Sequence, residues 1–288
     1  MGEVLPLLLA TLNCMLIPTS DVSQRAAAAA EWLRSVLHRV DVVVLTEVFS
    51  PTAFHILYTR LRLVWPYMVR PLHNTRGANG GVLLLSKWPL THVYAMFYSQ
   101  AVHSDALAAK GAVAAIVRPR TAAPMLVVGT HMQAGGDPAS CAVRAHQWTE
   151  LNWFLRGFLA TAAPQVPRLV CGDFNEDTGT AGNALRTHYL QSIPTPRAHG
   201  VSYDLVNNDI AAARAQKGDV TSMLDGVAVD QCTQHVTYCA GALLRPRDPL
   251  GDAFTDHEAI VAAVAFARTR HQAGAWGAQS SNYGSPRL

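Results

Sequence analysis

Charge is scarce in this sequence. Asp, Glu, Lys and Arg make up 15% of its 288 residues, with 23 Lys and Arg against 20 Asp and Glu. The net charge of +3 gives no strong basic stripe of the kind that tracks a nucleic-acid backbone, so no nucleic-acid partner is expected. Cysteine is scarce too. The five residues Cys14, Cys141, Cys171, Cys232 and Cys239 are odd in number and contain no CxxC pair. A disulfide scaffold and a thiolate zinc site are therefore not indicated, and reduced, mostly buried thiols are expected. No run reaches the roughly 18 apolar residues of a membrane-spanning helix. The opening MGEVLPLLLATLNCML carries Glu3 where a secretory leader has basic residues, and Pro6 where a myristoylation signal needs Ser or Thr. It reads as a first buried strand. A soluble chain, or one peripheral to a membrane, is expected; its compartment stays open.

Half of the residues are hydrophobic, enough for one large core at this length. Apolar runs recur at 7–12, 42–45, 82–85, 112–117, 125–128, 169–171, 224–229 and 260–266. Several are continuous rather than alternating, as in strands covered on both faces. Helices are expected over 21–39, capped by Ser20 or Asp21, and over 138–159. Their predicted inner faces are Val22, Ala26, Ala29, Leu33, Val36 and Leu37, and Trp148, Leu151, Phe154, Leu155 and Phe158. The Gly-, Ser- and Ala-rich stretch 270–288 reads as a disordered tail behind a single domain over 1–269. Many strands with helices between some of them predict an α/β sandwich of two packed mixed sheets flanked by helices, four layers in all.

What stands at the strand ends is informative. Asn13, Glu47, His131, Asp173 with Asn175, Asp225, and Asp256-His257 each sit at or beside the end of an apolar run. A turn, a cap or a solvated acid explains any one of them. Six of one kind on six elements point to a common site, and the chemistry uniting them is metal-assisted phosphoester hydrolysis. Mg²⁺ takes few protein oxygens and keeps positions for substrate; Mn²⁺ suits the same ligands. Glu47 supplies a charged oxygen and Asn13 a neutral one. His257 is the candidate base for water, with Asp225 fixing its tautomer. Asp173 aligns the water or assists the metal, and Asn175 and His131 donate to the phosphate.

These residues carry a resemblance. TLN (11–13), LTEVF (45–49), GGVLLLSKWPL (80–90), GTHMQA (129–134), GDFN (172–175), LDGV (224–227) and TDH (255–257) resemble, in order, the endonuclease/exonuclease/phosphatase superfamily with its DNase I-like fold. EVF, GGVLLLSKWPL, HSDALAAKGAV (103–113) and GTHMQA are similar to its neutral sphingomyelinase branch. The resemblance implies Asn13 and Glu47 at the metal, and His131, Asp173 and Asn175 at the phosphate. It implies His257 as base in the Asp256-His257 pair, supported by Asp225. It also implies Asp105 and Lys110, five positions apart, as a pair beside the site that engages substrate. The activity it implies is Mg²⁺-dependent cleavage of sphingomyelin at a membrane surface by a monomer. A nuclease or an inositol-phosphate phosphatase of the same fold is the alternative, and a non-catalytic scaffold would have lost Glu47, Asp173 or His257. Two departures stand out. Thr46 replaces the usual amide before the glutamate, and EAIVAA follows His257 where an aromatic and a proline are common. No aromatic membrane-inserting hairpin is evident in 235–254, which offers Tyr238, Leu243 and Leu244. Aromatics in 63–70 and 93–99 are expected mainly in the core.

Overall fold

In the computed structural model, strands β1 (Leu7–Asn13) and β2 (Val42–Thr46) run parallel, joined by helix α1 (Val22–Val36). The structure describes residues 6–73, 77–120, 122–163, 166–177, 190–192, 201–215, 220–230 and 236–266. After β2 come α2 (Pro51–Leu61), β3 (Tyr67–Val69), β4 (Leu83–Ser86), β5 (Leu90–Phe97), a 3₁₀ turn (His103–Leu107), β6 (Gly111–Val117) and β7 (Met125–His131). Helix α3 (Pro138–Trp153) continues through a widened turn at Phe154–Phe158 into the short α4 (Leu159–Ala162). The rest is β8 (Arg168–Asp173), β9 (Leu190–Ser192), α5 (Asp209–Arg214), β10 (Asp225–Asp230), β11 (Val236–Leu244) and β12 (Ala259–Phe266).

The strands form two sheets, ordered β11-β12-β1-β2-β4-β3 and β5-β6-β7-β8-β10-β9. Each holds one parallel pair among antiparallel neighbours: β1–β2 in the first, β7–β8 in the second. Leu9, Val44, Leu84, Val127, Leu169 and Ile260 pack between the sheets. A second apolar layer, with Leu12, Leu33 and Leu57, lies beneath α1 and α2. A third, with Val128, Trp148 and Phe154, lies beneath α3. Helix, sheet, sheet and helix are the four layers expected. Both faces of the central strands are buried, which explains their unbroken apolar runs.

The local differences have physical reasons. Asp21 stands at the start of α1, but its carboxylate bonds Thr19 and Arg25 instead of capping the helix. Helix α1 ends at Val36, which is exposed, and Trp32 and Ala30 join its buried face. Phe158 is likewise exposed on the outer side of α3. Helix α2 is capped by Ser50, whose Oγ accepts from Ala53 N, and starts at Pro51. Segment 93–99 falls on the edge strand β5, with Tyr94 and Met96 in the outer core, and Trp65 of 63–70 is fully buried. Cys14 and Cys171 are buried free thiols, whereas Cys141 is exposed. The tail 270–288 and most of the Met1–Pro6 opening lie outside the described residues.

Candidate active site

Strand register assembles the site. In the parallel pairs Asn13 stands opposite Thr46, the residue before Glu47, and His131 opposite Asp173. In the antiparallel pair β8–β10, Asp173 stands opposite Asp225. The hydroxyl of Thr255 donates to the Asn13 carbonyl at 2.6 Å, which seats the segment carrying Asp256 and His257 against the end of β1. Two backbone features fix the strand ends. Glu47 and Asn175 adopt positive φ, 57° and 51°, a strained choice for residues with a Cβ. Gly172 has φ +141°, and a Cβ there would sit 1.9 Å from the Thr130 carbonyl oxygen, so only glycine allows β8 to lie this close to β7.

At the floor, the Asn13 amide nitrogen donates to Glu47 Oε1 at 3.0 Å and to Asp173 Oδ2 at 2.9 Å. Its oxygen accepts from Met15 N at 2.9 Å. One neutral amide thus bridges two acids. Asp173 is 1% exposed, while the Glu47 side chain keeps 21% open. Burial, then the charge of Asp256, pushes the Glu47 carboxyl up, against Asn13 and Lys110. Burial and then Asp225 push Asp173 up to about 7, although His257 and the bonds from Asn13 and Asn175 N oppose it.

Above this floor His257 Nδ1 meets Asp225 Oδ2 at 2.5 Å, and its Nε2 lies 3.9 Å from Asp173 Oδ2. Burial works to lower the His257 pKa. The charges of Asp225 and Asp173 and the bond to Asp225 outweigh it and hold the ring well above its ordinary value. The Tyr203 ring leans against His257, centroids 5.4 Å apart.

The opposite wall holds a buried lysine. Lys110 Nζ, 3% exposed, donates to Asp105 Oδ2 at 2.6 Å and to the Met132 carbonyl at 2.9 Å, and lies 3.0 Å from His131 Nε2. Burial, then Lys110 and His257, holds the His131 pKa well below its usual value. A neutral His131 facing an ammonium accepts at Nε2. The sequence reading of His131 as a donor to phosphate therefore meets a geometry in which Lys110 is the donor of the pair. Asn175 donates to Met132 O at 3.0 Å, and its backbone N–H bonds Asp173 Oδ1 at 2.8 Å. Asp256 turns one oxygen toward Arg214, 3.1 Å away.

The site residues read from the sequence thus gather at one end of the two sheets, joined by these contacts. Among the described residues, two groups of three have ligand atoms within 4.8 Å of one another: Glu47, His131 and Asp173, and Asp173, Asp225 and His257. Two acids, Asp173 buried and Glu47 partly open, share one neutral amide and have carboxyls pushed up, an oxygen donor set that suits a hard divalent cation. Two neighbours were not singled out from the sequence: Tyr203 and Arg214. Both lie more than forty positions before His257, Tyr203 bridged to Ser222 and Arg214 at the end of the short helix α5, with no strand-end signal to mark them.

A family model described as "Endonuclease/Exonuclease/phosphatase family" matches residues 10–219. The chain belongs to that family. Sphingomyelinase C of Bacillus cereus is 24% identical over 88% of this chain and 86% of its own. The crystal structure of SmcL superposes with a TM-score of 0.79 at 21% identity, covering 90% of this chain and 99% of SmcL. A mutant beta toxin from Staphylococcus aureus with bound magnesium ions gives 0.79 at 20% identity over 90% and 99%. These likenesses establish the two-sheet fold. Among the described residues no helix is long and apolar enough to cross a membrane.

Proposed function

We propose that the chain is a divalent-metal-dependent phosphodiesterase of the phospholipase C type, which hydrolyses sphingomyelin to ceramide and phosphocholine. The observation that carries this reading is the His257–Asp225 pair facing the Asn13–Glu47–Asp173 cluster across one cleft. The relatives named sphingomyelinase C, matched over most of both chains, support the substrate.

Glu47, with Asp173 beside it, would hold Mg²⁺, and Asn13 would add its oxygen once its amide turns. When bound, the cation polarises the phosphoryl oxygen and neutralises charge on the leaving oxygen. The remaining work belongs to the chain. His257 Nε2 takes a proton from water as the water oxygen attacks phosphorus; Asp225 holds the ring and stabilises the imidazolium. The bond between phosphorus and the ceramide oxygen breaks; that oxygen takes its proton from a solvent water, and His257 returns the proton it took to solvent. Lys110 and Asn175 donate to the phosphoryl oxygens as charge builds on them. Asp105 aims Lys110, and Asp256 orients the His257 segment through Arg214. One chain supplies every group, so a monomer suffices, acting at a lipid surface.

A nuclease would need cations along the cleft mouth. Arg60 and Arg62 lie at the far end of α2, and Arg118 and Arg120 just past β6, whose last residue pairs with the start of β7 away from His131. At the mouth, Arg245 approaches Asp204 and Glu258, and Arg247 donates to the Asn207 carbonyl. The test is phosphocholine release from sphingomyelin in mixed micelles, with Mg²⁺ and with EDTA, beside plasmid nicking. Metal-dependent release without nicking is expected. Nicking without release would keep the site and move the substrate to nucleic acid.

A further inference from the structure

Large exposed apolar side chains occur on both ends of the molecule, and three of those near the site share a construction. Leu107, Val206 and Leu250 are 71%, 81% and 86% exposed. Each stands at the tip of a turn whose backbone is pinned beneath it. The 3₁₀ turn ending at Leu107 is fastened by Ala78 N to the Leu107 carbonyl, and by Asp105 to Ala134 N. Asp204 Oδ1 accepts from the N–H groups of Val206 and Asn207. Asp248 Oδ1 accepts from Leu250 N and Asp252 N, and the Asp248 carbonyl accepts from Gly251 N. Isolated apolar residues on a surface need no explanation. A leucine or valine held outward on a stiffened turn, three times around one opening, does.

Their placement frames the site. Leu107 lies three positions before Lys110, on the wall with His131. Val206 and Leu250 belong to two loops locked together beside His257: Asn208 Nδ2 donates to the Thr255 carbonyl at 3.0 Å, and Arg247 Nη2 to the Asn207 carbonyl at 3.2 Å. Tyr203 of the first loop touches the His257 ring. His257, His131 and Asp173 are 5% exposed or less. A phosphodiester at a flat surface reaches them only if the rim enters that surface.

We propose that these three tips are the docking feet of the protein on a zwitterionic lipid bilayer. The proposal rests on the lipid reading above and names the surface that this site meets. The charge around the feet decides between bilayers. Arg245, Arg247 and Arg214 are answered by Asp204, Glu258 and Asp256, and Asp248 and Asp252 flank Leu250. Among the described residues the rim has no excess positive charge, so it gains little from anionic lipid; its affinity comes from apolar insertion. The segment where a hairpin was sought is instead the edge strand β11, paired along β12, followed by the loop that carries Leu250.

The test uses sedimentation with vesicles of sphingomyelin and phosphatidylcholine in EDTA, so that no turnover occurs. Wild type is expected in the pellet, with little change when phosphatidylserine is added. Leu107→Asp, Val206→Asp and Leu250→Asp combined should weaken binding at least about ten-fold, and Leu250→Ser alone about three-fold. Leu63→Asp, at a residue 91% exposed beyond the far end of α2, should change nothing. Turnover of a water-soluble nitrophenyl phosphocholine with Mg²⁺ should stay within about two-fold in all of them. Three outcomes would overturn the docking proposal: wild type staying in the supernatant, the triple variant binding like wild type, or Leu63→Asp weakening binding as much. A concentration-dependent dimer abolished by the triple variant, without vesicle binding, would assign the feet to a second copy and overturn it too. Absence of soluble-substrate turnover in wild type would instead overturn the catalytic reading, leaving the vesicle result to stand on its own.

Discussion

Lys110 Nζ lies 3.0 Å from His131 Nε2, a buried ammonium donating to a neutral imidazole. Asp105 and the Met132 carbonyl complete its shell, so the charge is held at the cleft wall instead of dispersing into solvent. Lys110→Met is expected to lower kcat/KM about 100-fold, by removing a donor that strengthens as charge builds on the phosphoryl group. The His131 pKa should rise, since Lys110 helps to depress it. Steady-state kinetics and a histidine NMR titration check both. An unchanged rate would remove Lys110 from the chemistry.

Asp225 raises the His257 pKa through its charge and its hydrogen bond. Asp225→Asn removes the charge and leaves at most a neutral acceptor for the ring, so the acid limb of the pH–rate profile should move to lower pH. The maximal rate should fall by about 10²- to 10⁴-fold, because the ring loses the partner that stabilises the imidazolium. The two effects together are diagnostic. A loss of rate with the acid limb unmoved would mean that the base titrating in the profile is not His257.

The metal-free cluster holds its acids against charge. Burial raises Glu47, and burial with Asp225 raises Asp173 to about 7. A carboxyl whose folded pKa is raised contributes stability that is fully present below its unfolded value, near 4, and lost as pH rises through about 7. Mg²⁺ should therefore raise Tm more at pH 8 than at pH 5.5 through the electrostatic relief of ionised acids. Between about pH 6 and 7 its binding should release protons, since ligands must ionise. Calorimetry in buffers of different ionisation enthalpy measures the release. Glu47→Ala should abolish the Tm difference and weaken the magnesium dependence of the rate; an unaltered magnesium titration would exclude Glu47 from the metal.

Gly172→Ala places a Cβ 1.9 Å from the Thr130 carbonyl oxygen at φ +141°. β8 would have to part from β7 at the point where His131 faces Asp173. The substitution should cost about 3 kcal/mol or more in urea unfolding. A loss under about 1 kcal/mol would mean that the strand ends adjust more freely than their packing indicates.

Much of the frame was legible because its signals are local. Val42–Thr46 and Arg168–Asp173 are buried on both faces and read as unbroken apolar runs ending in polar residues. The short strands Tyr67–Val69 and Leu190–Ser192 gave no such run, and the edge strand Leu90–Phe97 is half exposed. The polar strand ends pointed to one site because register, once parallel, brings such ends together. The orientation of the pieces was not legible. Asn13 turns its nitrogen to the acids and His131 accepts from Lys110 only because of neighbours 34 to 160 and 21 positions away. Tyr203 and Arg214 reach the site from an isolated bridge and from the end of the six-residue helix α5, too short for a readable period and without a strand end.

The central claim is water attack on the phosphorus of sphingomyelin by one chain with a divalent metal. It is tested most directly by ³¹P NMR of sphingomyelin micelles incubated with the protein and Mg²⁺ in ¹⁸O-water. The account predicts a phosphocholine resonance with the isotope shift of one incorporated ¹⁸O, unlabelled ceramide, and no product in EDTA. Persistence of the sphingomyelin resonance, or phosphocholine formed without the label, would contradict it.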